Sequence, residues 1–125
     1  MAPPLTTLEL LTTLAEPTRL RILNCLAAAP LFVSELQGLL DLPQPTVSRH
    51  LKVLRETGLV RDTPIAQYVL YRLRQPAEPF GRVLGTVLDA TQKDPGLRGE
   101  RAAALNRSRQ HARARMETDL EGRPA

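Results

Sequence analysis

Residues 42–60, LPQPTVSRHLKVLRETGLV, decide the fold of this chain. Pro43 and Pro45 stand where a helix can begin but not where one can continue. Thr46, Val47, Ser48, Arg49 and His50 follow, crowding hydrogen-bonding groups into the opening turns. Leu51, Val53 and Leu54 add apolar weight, and Gly58 closes the segment, so a helix is expected over about 44–57. With Val47 at the origin and ~100° per residue, Leu51 and Leu54 fall beside it and form the face to be buried. Pro45, Thr46, Arg49 and Lys52 point broadly away, with Gln44 and Ser48 on one flank. Polar groups gathered in the first turns of a helix are expected to face a partner.

Upstream, residues 33–40 read as a short helix with Leu36, Leu39 and Leu40 apolar, and Asp41–Pro43 is a tight turn. Helix, turn, helix is the order of a DNA-binding motif whose second helix enters the major groove with its N-terminal residues at the base edges. The residue types suit that task. Arg49 can donate two hydrogen bonds to guanine O6 and N7, and Gln44 can pair with adenine. Thr46 and Ser48 can reach phosphate or base, and Lys52 suits a phosphate. The competing reading is an ordinary amphipathic helix with a solvated polar face. Downstream of Gly58 the periodicity changes. Leu59–Asp62 and Tyr68–Leu73 are β-prone and flank a turn at Thr63–Gln67, the pattern of a β-hairpin. A hairpin directly after a recognition helix makes a winged helix-turn-helix, whose wing flanks the DNA backbone. The expected class is therefore mainly α with a β-hairpin wing.

Around this centre, residues 5–15 place Leu5, Leu8, Leu11 and Ala15 on one helical stripe, widened by Leu10 and Leu14. Glu16-Pro17 breaks that helix and Pro17 starts the next, which carries Leu20, Leu23, Ala27, Ile22 and Leu26 and ends at Pro30. Helix resumes at 78–93 with Phe80, Val83, Leu84, Val87 and Leu88 on one face, and Asp94-Pro95-Gly96 breaks it. Residues 97–121 form an arginine-rich helix with a weak stripe of Ala102, Leu105, Ala112, Met116 and Leu120, expected to pack on another chain or to fray. The organisation expected is a winged helix-turn-helix DNA-binding and dimerisation domain at 1–94, a C-terminal helix at 95–121 and a disordered tail at 122–125.

Composition bounds the alternatives. The chain has 125 residues, no tryptophan, two phenylalanines and two tyrosines, so leucine, valine and alanine must build its core. No apolar run approaches the ~18 residues of a membrane span, and the start lacks a basic leader region. The single Cys25 excludes an internal disulfide and fits a reducing compartment, so a cytoplasmic protein is expected. The formal net charge is +4, and residues 1–60 hold five basic and five acidic groups, so the whole excess lies in residues 61–125. That balance permits a nucleic-acid partner without requiring one. An enzyme is not expected: no serine or cysteine stands near a plausible histidine base, no carboxylate pair stands out and no glycine loop cradles a phosphate.

The blocks LAEPTRLRILNCL, VSELQGLL, QPTVSRHLKVLRETGLV and YVLYRL, in that order between about Leu14 and Leu73, resemble the bacterial arsenic-repressor (ArsR/SmtB) family of metalloregulators. The resemblance implies a cytoplasmic homodimer that binds double-stranded DNA at an inverted repeat and represses transcription until an effector arrives. It implies pairing through the first and the penultimate or last helices, and base reading by Gln44, Thr46, Ser48, Arg49 and His50. The chain departs from the family at its sensor positions. Phe32-Val33-Ser34 stands where arsenic sensors carry Cys-Val-Cys, and residues 78–93 hold Asp89 but no histidine where zinc-type sensors need both. No metal cofactor is expected at either place, and the effector stays open. The wing tip lacks the family's arginines and glycine, leaving Arg61, Arg72 and Arg74 at its base. Cys25 is the remaining candidate sensor, weighed against plain packing beside Leu23 and Leu26, with Arg21 one turn back as the group that would activate it. His111 stands on a polar stretch with no partner named by the sequence. A second class competes: a winged-helix dimer serving as a protein-interaction module, favoured by the neutral wing tip and the long last helix.

Overall fold

Short polar caps punctuate the chain. The structure, a computed structural model, describes residues 4–121; the expected tail at 122–125 and the side chain of Leu120 lie outside the described residues. Helix α1 (Thr7–Ala15) opens with the Thr6 hydroxyl accepting from the Glu9 N–H at 3.1 Å. Glu16 holds an extended backbone and caps α2 (Pro17–Leu26), its carboxylate accepting from the Arg19 N–H at 2.8 Å, with Pro17 in the first turn. Strand β1 (Leu31–Phe32) runs directly into α3 (Val33–Leu40), where the Glu35 carboxylate accepts from the Phe32 N–H at 3.0 Å. A left-handed residue, Asp41 (φ 54°), turns the chain into α4 (Gln44–Glu56). Gly58 (φ 78°) then releases it into β2 (Val60–Ile65) and β3 (Tyr68–Leu73), a conformation that glycine adopts without the Cβ clash other residues meet. Helix α5 (Phe80–Ala90), a 3-10 turn (Thr91–Lys93) and α6 (Pro95–Glu121) complete the fold.

The core joins Leu10 and Leu14 of α1 to Ile22, Leu23 and Leu26 of α2, Leu36 and Leu40 of α3, and Val47, Leu51 and Leu54 of α4. Leu84 and Leu88 of α5 and Ala104 of α6 close it from the C-terminal side. The mainly helical class with a hairpin wing is therefore the observed one, and α2, α3 and α4 match their expected spans to within a few residues. On α1 the expected stripe is not the buried one. Leu10, Thr13 and Leu14 are buried, whereas Leu8 and Leu11 are 71% and 51% exposed. A helix with leucine on several sides offers more than one apolar face, and packing against α2 selects among them.

The sheet has three antiparallel strands in the order β1-β3-β2. Strand β1 was not foreseen, being too short for any periodicity. The wing is also tighter than expected: pairing continues through Thr63↔Leu70 and Pro64↔Val69 to Ile65↔Tyr68, leaving only Ala66 and Gln67 in the turn. Ala66 takes the left-handed conformation (φ 53°) that such a short connection demands. Pro64 is tolerated because β2 is an edge strand, with no further neighbour for its missing N–H to pair with.

The expectation for α6 is corrected. Its first half packs on α2 and α3 of its own chain, and Ala104, outside the expected stripe, is its fully buried side chain. Ala102 and Ala112 are exposed and Met116 is 65% exposed. Polar contacts supply what apolar ones lack. Arg21 donates to both Glu100 carboxylate oxygens at 2.8–3.2 Å and to the Leu40 carbonyl. Asn24, fully buried on α2, donates to the Leu97 carbonyl at 2.7 Å and accepts from Arg101 Nε at 3.0 Å. Arg101 also donates to the Leu88 carbonyl at 2.7 Å, so one asparagine knots α2, α5 and α6 together. Asn24→Ala strips partners from several buried groups at once and is expected to cost about 2–3 kcal/mol in urea denaturation. A loss under about 0.5 kcal/mol would mean water replaces the amide freely.

Candidate nucleic-acid interface

Helix α4 buries Val47, Leu51 and Leu54 completely, and this fixes what its other sides present. Gln44, Arg49 and Lys52 are exposed, with Thr46 and Ser48 half-buried at the margins. Gln44 Nε2 donates to Ser48 Oγ at 2.7 Å, so those two side chains form one preset flank. Among the described residues no acidic side chain pairs with Arg49 or Lys52, and the only acid of α4 is Glu56 at its far end. Two unpaired cations beside amide and hydroxyl groups on one helix edge suit a polyanion with readable edges.

His50 does not join them. It sits on the opposite flank, half-buried, with Nδ1 3.5 Å from Glu16 Oε2 at the start of α2. Partial burial would raise the Glu16 carboxyl, but hydrogen bonds from the Arg19 and Thr18 N–H groups, with the His50 ring and the Arg19 guanidinium nearby, outweigh it and hold it below its usual range. Glu16 of the α2 cap thus lies beside His50 of α4, a proximity the linear sequence does not display because the two residues are far apart along the chain.

The wing carries its cations at the base. Arg61 and Arg72 are exposed and directly opposed across β2 and β3. Like charges in that position oppose strand pairing unless an anion lies over them. Arg55 donates to Asp62 at 3.2 Å and ties the end of α4 to the wing. The tip, Ile65 to Gln67, is uncharged.

The family's sensor positions have the wrong donors here. Phe32 is buried, its ring centroid 6.0 Å from that of Tyr68 and 5.1 Å from that of His111. Ser34 has no thiol, and among the described residues no three His, Cys, Asp or Glu side chains converge. A thiophilic ion needs several thiolates at ~2.3 Å and would find none in this segment. Cys25 lies in the core at 0% exposure, and burial, reinforced by the nearby Glu100 carboxylate, pushes its thiol up to about 12 against the opposing pull of Arg21 and Arg101. Arg21, the group that would have activated it, is engaged with Glu100. Native Cys25 is expected to react with an aromatic disulfide reagent far more slowly than the urea-unfolded chain; equal rates would place the thiol at the surface.

A short helix, a tight turn, a helix with an exposed polar edge and a hairpin tied to its end define a winged helix-turn-helix protein. Known proteins agree. The profile described as "Bacterial regulatory protein, arsR family" matches residues 16–62, from the cap of α2 into β2. The chain is 35% identical over 86 residues to the biofilm growth-associated repressor of Xylella fastidiosa, covering 68% of this chain and 75% of that one. It is 46% identical over 66 residues to the Agrobacterium fabrum protein of the same name, and there it spans only 56% of the relative's length. The crystal structure of the repressor BigR from Xylella fastidiosa superposes with a TM-score of 0.59 at 30% identity, covering 68% of this chain and 81% of that one. The chain belongs to the ArsR family of bacterial regulatory proteins, a family of regulators rather than of enzymes.

Proposed function

We propose that the protein is a homodimeric transcriptional repressor that reads an inverted-repeat operator in double-stranded DNA and leaves it when an effector binds. The observation that carries this reading is the outward edge of α4, where Arg49 and Lys52 stand exposed, with no acidic partner among the described residues, beside the linked Gln44 and Ser48. In this reading Arg49 and Gln44 contact bases, Thr46 and Ser48 reach phosphate or base, and Lys52 holds a phosphate. His50 acts from behind, through Glu16. Arg61 and Arg72 offer the wing's base to the backbone, while its neutral tip adds little. Dimerisation uses α1, whose Leu8 and Leu11 are exposed, together with α5, where Val83 is also exposed. Being read on two half-sites supplies the specificity that one short helix lacks.

Release runs without a metal at the family's two usual positions, since Phe32, Ser34 and a helix with Asp89 but no histidine supply no suitable ligand set. The protein is proposed to act in the cytoplasm; no helix among the described residues is long and apolar enough to cross a membrane. The uncharged wing tip supports the alternative of a protein-interaction module. A mobility-shift titration with the DNA upstream of the protein's own gene separates the two. Retardation that survives excess scrambled competitor is expected; no preference for the upstream fragment would favour the interaction module.

A further inference from the structure

Between Arg101 and Met116 the chain carries five arginines and no acid, a stretch more basic than the whole molecule, whose formal net charge is +4. Arg101 is engaged with Asn24 and the Leu88 carbonyl. Arg107, Arg109 and Arg113 are exposed, and among the described residues none of them meets an acid. A solvated helix face usually alternates its charges. Here Arg109 and Arg113 stand four residues apart with like charge, which weakens a helix unless an anion lies against them. Position narrows what that anion is. After Ala104 the helix crosses the outer side of α3, where the Arg107 guanidinium stands over Gly38, with Nη2 3.2 Å from where a Cβ would lie. Gly38 is one turn before Asp41, which leads into the recognition helix. One turn beyond Arg107, His111 meets the Phe32 ring and shares a pocket with the wing-tip residues Ile65 and Ala66. Helix α6 thus reaches from the helix-turn-helix to the wing tip, and it runs on to Glu121, ~15 Å past His111.

We propose that the arginine run of α6 is a second DNA contact, a sequence-independent clamp on the phosphate backbone in which Arg107, Arg109 and Arg113 supply the charge that the uncharged wing tip lacks. The first helix of a helix-turn-helix crosses the DNA backbone, so Arg107, held on α3, comes close to a strand. Arg109 and Arg113 lie on the face of α6 turned away from Phe32, and their long forked side chains are free to reach phosphates of the flanking duplex. Each phosphate neutralised releases counterions, so the clamp adds affinity and salt dependence and leaves base choice to α4. This inference rests on the DNA reading above and adds to it a contact that the reading does not itself require.

The test compares three full chains: wild type, the triple variant Arg107→Gln, Arg109→Gln, Arg113→Gln, and the same three positions changed to lysine. Each is titrated with the upstream DNA and with a scrambled duplex over a series of salt concentrations. Glutamine is nearly as good a helix former as arginine, so circular dichroism and sedimentation should match wild type. The glutamine variant is expected to bind both duplexes about tenfold or more weakly, with the preference between them unchanged and the salt slope shallower by about two to three units. The lysine variant, which keeps the charges, should hold the wild-type slope. The proposal is overturned if the glutamine variant keeps the wild-type slope, if its loss is confined to the upstream DNA, or if the lysine variant loses as much. It is also overturned if the glutamine variant loses helix or sediments differently, which would assign these arginines to folding or to the subunit contact. A wild-type chain that retards neither duplex overturns the DNA reading instead.

Discussion

The double variant Leu8→Glu, Leu11→Glu is expected to be a folded monomer with DNA affinity reduced by about a hundredfold or more. Both side chains lie on one side of α1 and outside the core, at 71% and 51% exposure, so the substitution removes nothing the protomer packs against. Glutamate also suits the first turns of a helix. A leucine buried across an interface contributes ~1.5–3 kcal/mol, and a two-fold axis uses each one twice. Four such side chains exchanged for charges exceed what an interface of ordinary size can absorb. The DNA effect follows because a dimer holds its second recognition helix at a high effective concentration, an advantage of ~10²–10⁴ that a monomer forfeits. Sedimentation and circular dichroism decide the matter. A double variant that still sediments as a dimer would move the interface elsewhere, and a wild-type chain that is monomeric at micromolar concentration would remove it.

Arg49→Ala is expected to collapse the preference for operator over scrambled DNA, with a loss of ~1–3 kcal/mol of discrimination per half-site. The geometry argues for a clean experiment. Arg49 is exposed and, among the described residues, pairs with no acid, so stability should move by no more than ~0.5 kcal/mol. Lys52→Ala should behave differently. A phosphate contact carries no base information, so affinity falls on all sequences alike and the salt dependence loses about one unit of slope. Competition titrations at several salt concentrations distinguish the two. If Arg49→Ala weakens specific and scrambled DNA in the same ratio, Arg49 is a backbone contact and the base reading passes to Gln44.

The central elements were legible because their signals are local. Pro17, Pro43 and Pro45 can only stand at helix starts, Gly58 can take a left-handed backbone, and Val47, Leu51 and Leu54 recur with the helical period. Each of these is written within a few residues of the place it acts, so the helix-turn-helix, the wing and the outward edge of α4 follow from the sequence by itself. What tertiary structure decided depends on partners far along the chain. Strand β1 exists only because β3 pairs with it, and two residues hold no periodicity of their own. The choice of Leu10 and Leu14 over Leu8 and Leu11 belongs to α2, which offers a surface to one face of α1 and not to the other. Helix α6 has almost no apolar stripe to announce where it docks; Asn24 and Arg21 hold it from more than 70 residues away. His50, expected among the base-reading residues, stands 3.5 Å from Glu16 on the other flank of α4, a neighbour that only the tertiary structure supplies. Phe32, Tyr68 and His111 were unrelated letters in the chain and line one pocket only because the wing and the last helix meet beside the start of α3.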